Sequence, residues 1–158
     1  MTQEKKQEYT RRITQANKTQ MITILYEMVL DYLADSLDAI SLGKKQDAEK
    51  YLSYAQGCID ELIHSVNLEV ELGLMLHKIY IFSKKELTMA AISYSQHRIW
   101  RVEKNFKLLK DAYVELEKAD NSAPTMGNTQ TVYAGLTYGK YSLNEDVASA
   151  SLNRGLMA

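Results

Sequence analysis

Residues 17–43 read NKTQMITILYEMVLDYLADSLDAISLG, and they are the clearest indication of the fold class. Its apolar side chains recur at spacings of three and four, which is the periodicity of one face of an α-helix. That face consists of Ile22, Leu25, Tyr26, Val29, Leu33, Leu37 and Ile40. Asn17 and Gln20 have the spacing of a capping box, and Gly43 supplies a stop. The stretch therefore predicts a long amphipathic helix.

Three further amphipathic segments follow the first one. The second is predicted to begin with Asp47 as its cap, the third to run from about residue 72 to 91, and the fourth to start at Ser93 or Ser95. Gly57 interrupts the second segment, and we expect it to mark a close helix contact. Four such helices with short connections predict an all-α fold, an antiparallel up-down four-helix bundle.

Composition divides the chain into three parts. Residues 1–16 are polar and predict a flexible N-terminal arm, and residues 17–119 form the predicted helical bundle domain. Only 5 of the 39 Lys, Arg, Asp and Glu residues fall in 120–158, so we expect a C-terminal extension that is irregular and partly flexible.

The same composition excludes several classes of protein. The net charge is −1 and the lysines after residue 100 alternate with acidic residues, so no nucleic-acid surface is indicated. No apolar run reaches about 18 residues and the first residues lack a signal pattern, so we expect no membrane insertion and a cytoplasmic location. Cys58 is the single cysteine, which leaves no internal disulfide.

Catalytic and metal-binding patterns are weak. Glu61 and His64 have the Glu-x-x-His spacing of di-iron bundles, but neither His77 nor His97 repeats it. Cys58 lies on the apolar face of the second helix, where a core role is expected. The sequence therefore predicts no enzyme, no metal site and no cofactor, and a degenerate metal or cofactor bundle is the least favoured alternative.

Four features, taken in order, carry a resemblance to a known family. Tyr9 precedes a short polar segment, and Met21–Leu30 has a leucine-tyrosine-acid run. Residues 55–68 read AQGCIDELIHSVNL, and residues 76–82 read LHKIYIF. From Tyr9 to Leu116 the chain resembles the flagellar export chaperone FliS family. It departs from the family at Gly73, where a glycine pair is usual, and at Ala91 and Tyr113.

The resemblance implies a function. Members of this family are cytoplasmic chaperones that bind the disordered C-terminal segment of flagellin, prevent its premature polymerisation and keep it competent for export. The flagellar export apparatus is a second candidate partner. The expected partner-binding residues are Tyr9, Ile13, Leu25, Tyr26, Leu62, Val66, Leu76, Ile79, Tyr80 and Phe82.

Other arrangements stay open at this point. A non-enzymatic adaptor, or a homo-oligomer assembled through the C-terminal tail, is the alternative function, and the chain is a monomer or a homodimer. Tyr9 is expected to dock on the apolar groove and to move when the partner binds. Residues 132–143 are rich in Tyr, Leu and Val, and we expect them to occupy that groove in their own molecule or in a neighbour.

Overall fold

A computed structural model describes residues 1–126, and this part of the chain is entirely helical apart from its connections. The expectations for residues 127–158, including the tail segment 132–143, lie outside the described residues. The five helices are α1 (Gln3–Gln15), α2 (Lys18–Ser41), α3 (Lys45–Ser65), α4 (Glu71–Ser93) and α5 (Gln96–Glu117). The predicted all-α class is confirmed for the described residues.

Helix α2 begins where its sequence predicts. The Asn17 side chain accepts a hydrogen bond from the backbone N–H of Gln20 (2.8 Å), and the Gln20 side chain accepts one from the N–H of Asn17 (3.0 Å). This reciprocal pair satisfies two N–H groups that would otherwise lack a helical partner. Gly43 follows the helix with φ of +69°, a left-handed conformation that glycine adopts without steric cost.

The predicted start of α3 is wrong by three residues, because the cap position is Lys44 and not Asp47. The helix begins at Lys45, and Lys44 precedes it without a side-chain cap. Asp47 therefore lies inside the first turn, where its negative carboxylate interacts favourably with the positive end of the helix dipole. A capping residue and a first-turn acid look alike in sequence, which explains the error.

The helix count differs from the predicted four, because the expected flexible arm contains α1. Thr2 caps this helix by accepting a hydrogen bond from the N–H of Lys5. Tyr9 and Ile13, four residues apart, share one helical face, and both pack in a small cluster with Ile24 of α2. Two apolar residues are a weak sequence signal, yet they suffice when a neighbouring helix supplies the other side of the contact.

Helices α2 to α5 contact one another in a ring. Helix α2 packs against α3 and α5, and α4 packs against the same two helices, while α1 contacts α2 alone among the substantial pairings of the described chain. The largest fully buried side chains inside the ring include Tyr26, Tyr80, Phe106, Leu33 and Leu52. None of the five helices has the length and apolarity needed to cross a membrane.

An ion pair that the sequence pattern did not reveal joins α4 to α5. Glu86 is buried, and its two carboxylate oxygens accept hydrogen bonds from Arg98 (2.9 Å) and Arg101 (3.2 Å). A buried carboxylate needs such partners because desolvation of an unpaired charge is costly. These two ion pairs link α4 to the N-terminal half of α5.

Candidate functional site

An apolar groove lies at one end of the packed helices, where α2 and α4 begin and α3 and α5 end. It encloses about 210 Å³, and we call it the end groove. Its lining residues are Lys18, Thr19, Ile22, Ser65, Val66, Asn67, Val70, Leu72, Gly73, Leu76, Tyr80 and Tyr113. Most of them are apolar or aromatic, and Lys18 supplies the one charged side chain of this lining.

The α3–α4 connection gives the groove its wall. Val66, which follows α3, and Val70, which precedes α4, both have extended backbones. The side chain of Val70 makes no capping hydrogen bond to α4. Gly73 permits the connection to lie against the first turn of α4. A Cβ atom at this position would stand 1.8 Å from the carbonyl oxygen of Asn67, which no side chain tolerates. The close approach leaves Val70 and Leu72 exposed at the rim.

The floor of the groove is aromatic. Tyr80 lines it, and the Tyr80 hydroxyl is hydrogen-bonded to that of Tyr26 in the core below. The Tyr26 ring meets the rings of Phe106 and Tyr113 edge to face, with centroids 5.6 and 5.3 Å away. Burial raises the pKa of Tyr80 to about 12 and raises that of Tyr26 further, so both stay neutral at physiological pH. The floor is an uncharged surface suited to apolar side chains.

A line of exposed apolar residues continues the groove along α4. Met75, Ile79, Phe82 and Met89 recur at spacings of four, three and seven, which places them on one side of the helix. We call this line the α4 stripe. Met75, Phe82 and Met89 are exposed and Ile79 is half-buried. Leu72 lies one helical turn before Met75, so the groove and the stripe as far as Phe82 extend about 15 Å along α4. Glu86, with Arg98 and Arg101, separates Met89 from this part.

The ten residues predicted from sequence fall in four places. Val66, Leu76 and Tyr80 line the end groove, and Tyr26 lies beneath its floor. Ile79 and Phe82 belong to the α4 stripe. Leu62 is buried in the core and Leu25 is half-buried beside it. Tyr9 and Ile13 lie in the α1–α2 contact. Their predicted roles in binding stay predictions.

Tyr9 is held on α2 by both polar and apolar contacts. Its hydroxyl donates a hydrogen bond to Asp31 (2.6 Å), and the Arg12 guanidinium lies 5.6 Å from its ring centroid. Burial and the neighbouring Asp31 carboxylate raise the pKa of Tyr9. Tyr9 is not among the residues that line the end groove, although α1 ends three residues before Lys18, the first lining residue in chain order.

Sequence reasoning missed several lining residues of the groove. Ile22 was assigned to the general apolar face of α2, and Leu72 to the general face of α4. Val70 lies in a short interhelical connection, and an apolar residue at such a position is itself a signal of a binding surface. Gly73 differs from the glycine pair usual in the family, and its packing against Asn67 explains why a glycine stands at that position.

The groups considered for catalysis or metal binding do not come together in residues 1–126. No three His, Cys, Asp or Glu side chains converge there as a metal site would require. Glu61 and His64 are exposed on α3, and His64 Nδ1 lies 2.7 Å from the carbonyl oxygen of Asp60. Cys58 is buried, and desolvation raises the pKa of its thiol to about 11. A thiol in this environment is a poor nucleophile.

Comparison with known families identifies the family of this chain. The family described as flagellar protein FliS matches residues 1–120, which covers all five helices. A comparison with curated proteins finds no match. The family match ends at residue 120, where charged residues become sparse. The rest of the C-terminal extension lies beyond the matched part.

Proposed function

Because this chain belongs to the FliS family of flagellar proteins, we propose that it is a cytoplasmic flagellar export chaperone whose client is the disordered C-terminal segment of flagellin. The chaperone would prevent premature polymerisation of flagellin and keep it competent for export. The observation that carries the proposal on the structural side is the apolar surface formed by the end groove and the adjoining part of the α4 stripe, from Met75 to Phe82.

The dimensions of this surface favour a peptide over a small molecule. Ligand pockets for small molecules enclose about 300–1,000 Å³, whereas the end groove encloses about 210 Å³. A groove of this size accepts one or two apolar side chains. An amphipathic helix could place such a side chain in the groove and lay its remaining apolar face along the α4 stripe, which is helix-in-groove recognition.

The energetics require the whole surface. A disordered client loses about 2–5 kcal/mol to ordering when it folds on its partner. Each large apolar side chain buried fully contributes about 1.5–3 kcal/mol. Two or three anchoring side chains therefore offset the ordering cost, and further contacts along the stripe are needed for useful affinity. The exposed Met75 suits this role, because a flexible thioether adapts to different partner surfaces.

The test is a calorimetric titration of the full chain with the isolated C-terminal segment of flagellin from the same organism. We expect sub-micromolar binding, roughly −8 kcal/mol or better. The heat-capacity change should be negative because apolar surface is buried. A peptide of the same composition in scrambled order is the control. No heat at tens of micromolar would refute the proposal, and a protein that only self-associates would favour the adaptor or homo-oligomer instead.

A further inference from the structure

The last described residues run back to the start of α2. After α5 ends, the Thr19 hydroxyl donates to the Asp120 carboxylate, and the Asn17 side-chain amide lies 3.4 Å from the carbonyl oxygens of Asp120 and Ser122. Thr125 donates its backbone N–H to the carbonyl oxygen of Ala16 (2.9 Å). These bonds fix the point from which the C-terminal extension departs.

That point lies next to Ala16, close to the end groove. Thr19, which holds Asp120, is itself a lining residue, and so is Lys18. Ala16, which holds Thr125, is two residues from Lys18, or about 7 Å along the chain. Residues 127–131 span up to about 16–18 Å when extended, so residue 132 can reach the groove of its own molecule.

The composition of the next segment matches the groove. Residues 132–143 read VYAGLTYGKYSL and carry a single charge, that of Lys140. The lining of the end groove is mainly apolar and aromatic. A second cavity beside Ala16 is also within reach, but its lining includes Arg12, Gln15, Gln20 and Glu117, which suits a polar occupant.

We propose that residues 132–143 lie across the end groove of their own molecule when no client is bound, with one or two of their apolar side chains filling it. Tethering through so short a connection raises the local concentration of the segment into the millimolar range. A contact too weak to hold a free peptide would therefore keep the groove filled. A client must then displace the segment, so the extension would lower the apparent affinity for that client. This regulatory consequence, unlike the occupancy itself, rests on the proposed function.

Photo-crosslinking in the full chain tests the occupancy directly. The variant Tyr138→p-benzoylphenylalanine is irradiated without client, and the crosslinked residues are located by mass spectrometry. We expect crosslinks within one chain to residues of the end groove, with Val66, Val70, Leu72 and Leu76 as the nearest apolar partners. Mixing chains of normal and heavy isotopic composition distinguishes crosslinks within a chain from those between chains.

A matched pair of second substitutions makes the test specific. Leu72 lines the groove and Leu74 does not, although both are exposed on the first turns of α4. Adding Leu72→Gln should lower the crosslink yield roughly fivefold, because one apolar contact is lost. Adding Leu74→Gln should leave the yield unchanged, and circular dichroism checks that both variants retain their helix content.

The outcomes separate this inference from the proposed function. Crosslinks to other surfaces, crosslinks between chains, no crosslinks, or equal effects of the two glutamine substitutions would each overturn the inference. Crosslinks in the groove support the inference even if the flagellin segment fails to bind. In that case only the proposed function is refuted. Where the flagellin segment binds, its addition should reduce the crosslink yield in proportion to occupancy, and an undiminished yield would contradict a shared site.

Discussion

The hydroxyl groups of Tyr26 on α2 and Tyr80 on α4 are hydrogen-bonded to each other directly beneath the end groove. Both side chains are buried, and among the described residues no buried side-chain polar atom lacks a partner. The pair therefore connects two non-adjacent helices of the ring through a satisfied polar contact. Removing one hydroxyl leaves the other buried without that partner, which costs more than removing both.

The first prediction is a double-mutant cycle on this pair. We expect Tyr26→Phe and Tyr80→Phe each to lower the free energy of unfolding by about 1–3 kcal/mol. The double variant should lose less than the sum of the two, with a coupling of about 0.5 kcal/mol or more. Urea denaturation followed by circular dichroism measures all four proteins. Additive losses would show that the two hydroxyls do not depend on each other.

A second prediction concerns two glycines on neighbouring helices. Gly73→Ala should destabilise the fold by about 1–3 kcal/mol, because its Cβ would meet the Asn67 carbonyl and force the α3–α4 connection away. Gly57→Ala should stabilise it by roughly 0.5–1 kcal/mol, since nothing lies within 4 Å of that Cβ and alanine favours helix. Denaturation midpoints give both values. Similar effects of the two changes would rule out the close approach at Gly73.

These glycines show which features the sequence predicts and which it does not. We expected Gly57 to mark a close contact, and that expectation is wrong because the residue faces open space. The capping box of Asn17 and Gln20 was predictable, because both partners lie within four residues. The wall at Gly73 depends on where the α3–α4 connection folds back, and the two arginines on Glu86 come from another helix. Such contacts join residues whose proximity no local pattern reveals.

The candidate site, too, was predictable only where it depends on local sequence. Periodicity identified the apolar residues of α2 to α4, but it could not separate the core from the groove. Tyr80 and Leu87 lie seven residues apart on one face of α4, and only Tyr80 also reaches the groove. The difference arises because Tyr80 is two helical turns closer than Leu87 to the end of the ring where the α3–α4 connection leaves space. The packing of four helix ends determines this space.

A third prediction uses Cys58 as a reporter of the core. Burial raises the pKa of its thiol from 9.0 to about 11. The fraction of thiolate at pH 8 is therefore roughly a hundredfold lower than for an exposed thiol. Native protein should therefore react with iodoacetamide at least that much more slowly than protein in denaturant. Because the raised pKa favours the neutral thiol, reaction should accelerate as the pH rises toward 11. Rapid labelling of native protein at pH 8 would contradict the burial of this thiol.

A fourth prediction addresses the docking of α1 on α2. Tyr9→Ala removes the ring packed beside Ile24 and the hydrogen bond to Asp31. Amide exchange in α1 should become about tenfold faster or more, while α2 to α5 keep their protection, because α1 contacts α2 alone among the substantial helix pairings. Thr10→Ala, at an exposed position of α1, is the control.

Client binding by the same two variants decides whether Tyr9 has more than a structural role. The affinity of the flagellin segment should change in Tyr9→Ala and stay constant in Thr10→Ala. An increase would mean that docked α1 covers client surface, and a decrease would mean that Tyr9 contributes contacts to the client. Equal affinities of the two variants and the parent chain would limit Tyr9 to holding α1.

The last prediction tests the end groove as the client site through Leu72 and Leu74. Their side chains are 60% and 46% exposed, so replacing either by glutamine disturbs little of the folded core. Leu72 lines the groove and precedes the α4 stripe by one turn, whereas Leu74 lies outside the groove lining. We expect Leu72→Gln to weaken binding of the flagellin segment about tenfold, because an apolar contact worth roughly 1.4 kcal/mol is lost. Leu74→Gln should change the affinity by less than twofold. Calorimetric titration of both variants against the parent chain gives the comparison, and equal losses would place the client somewhere other than the groove.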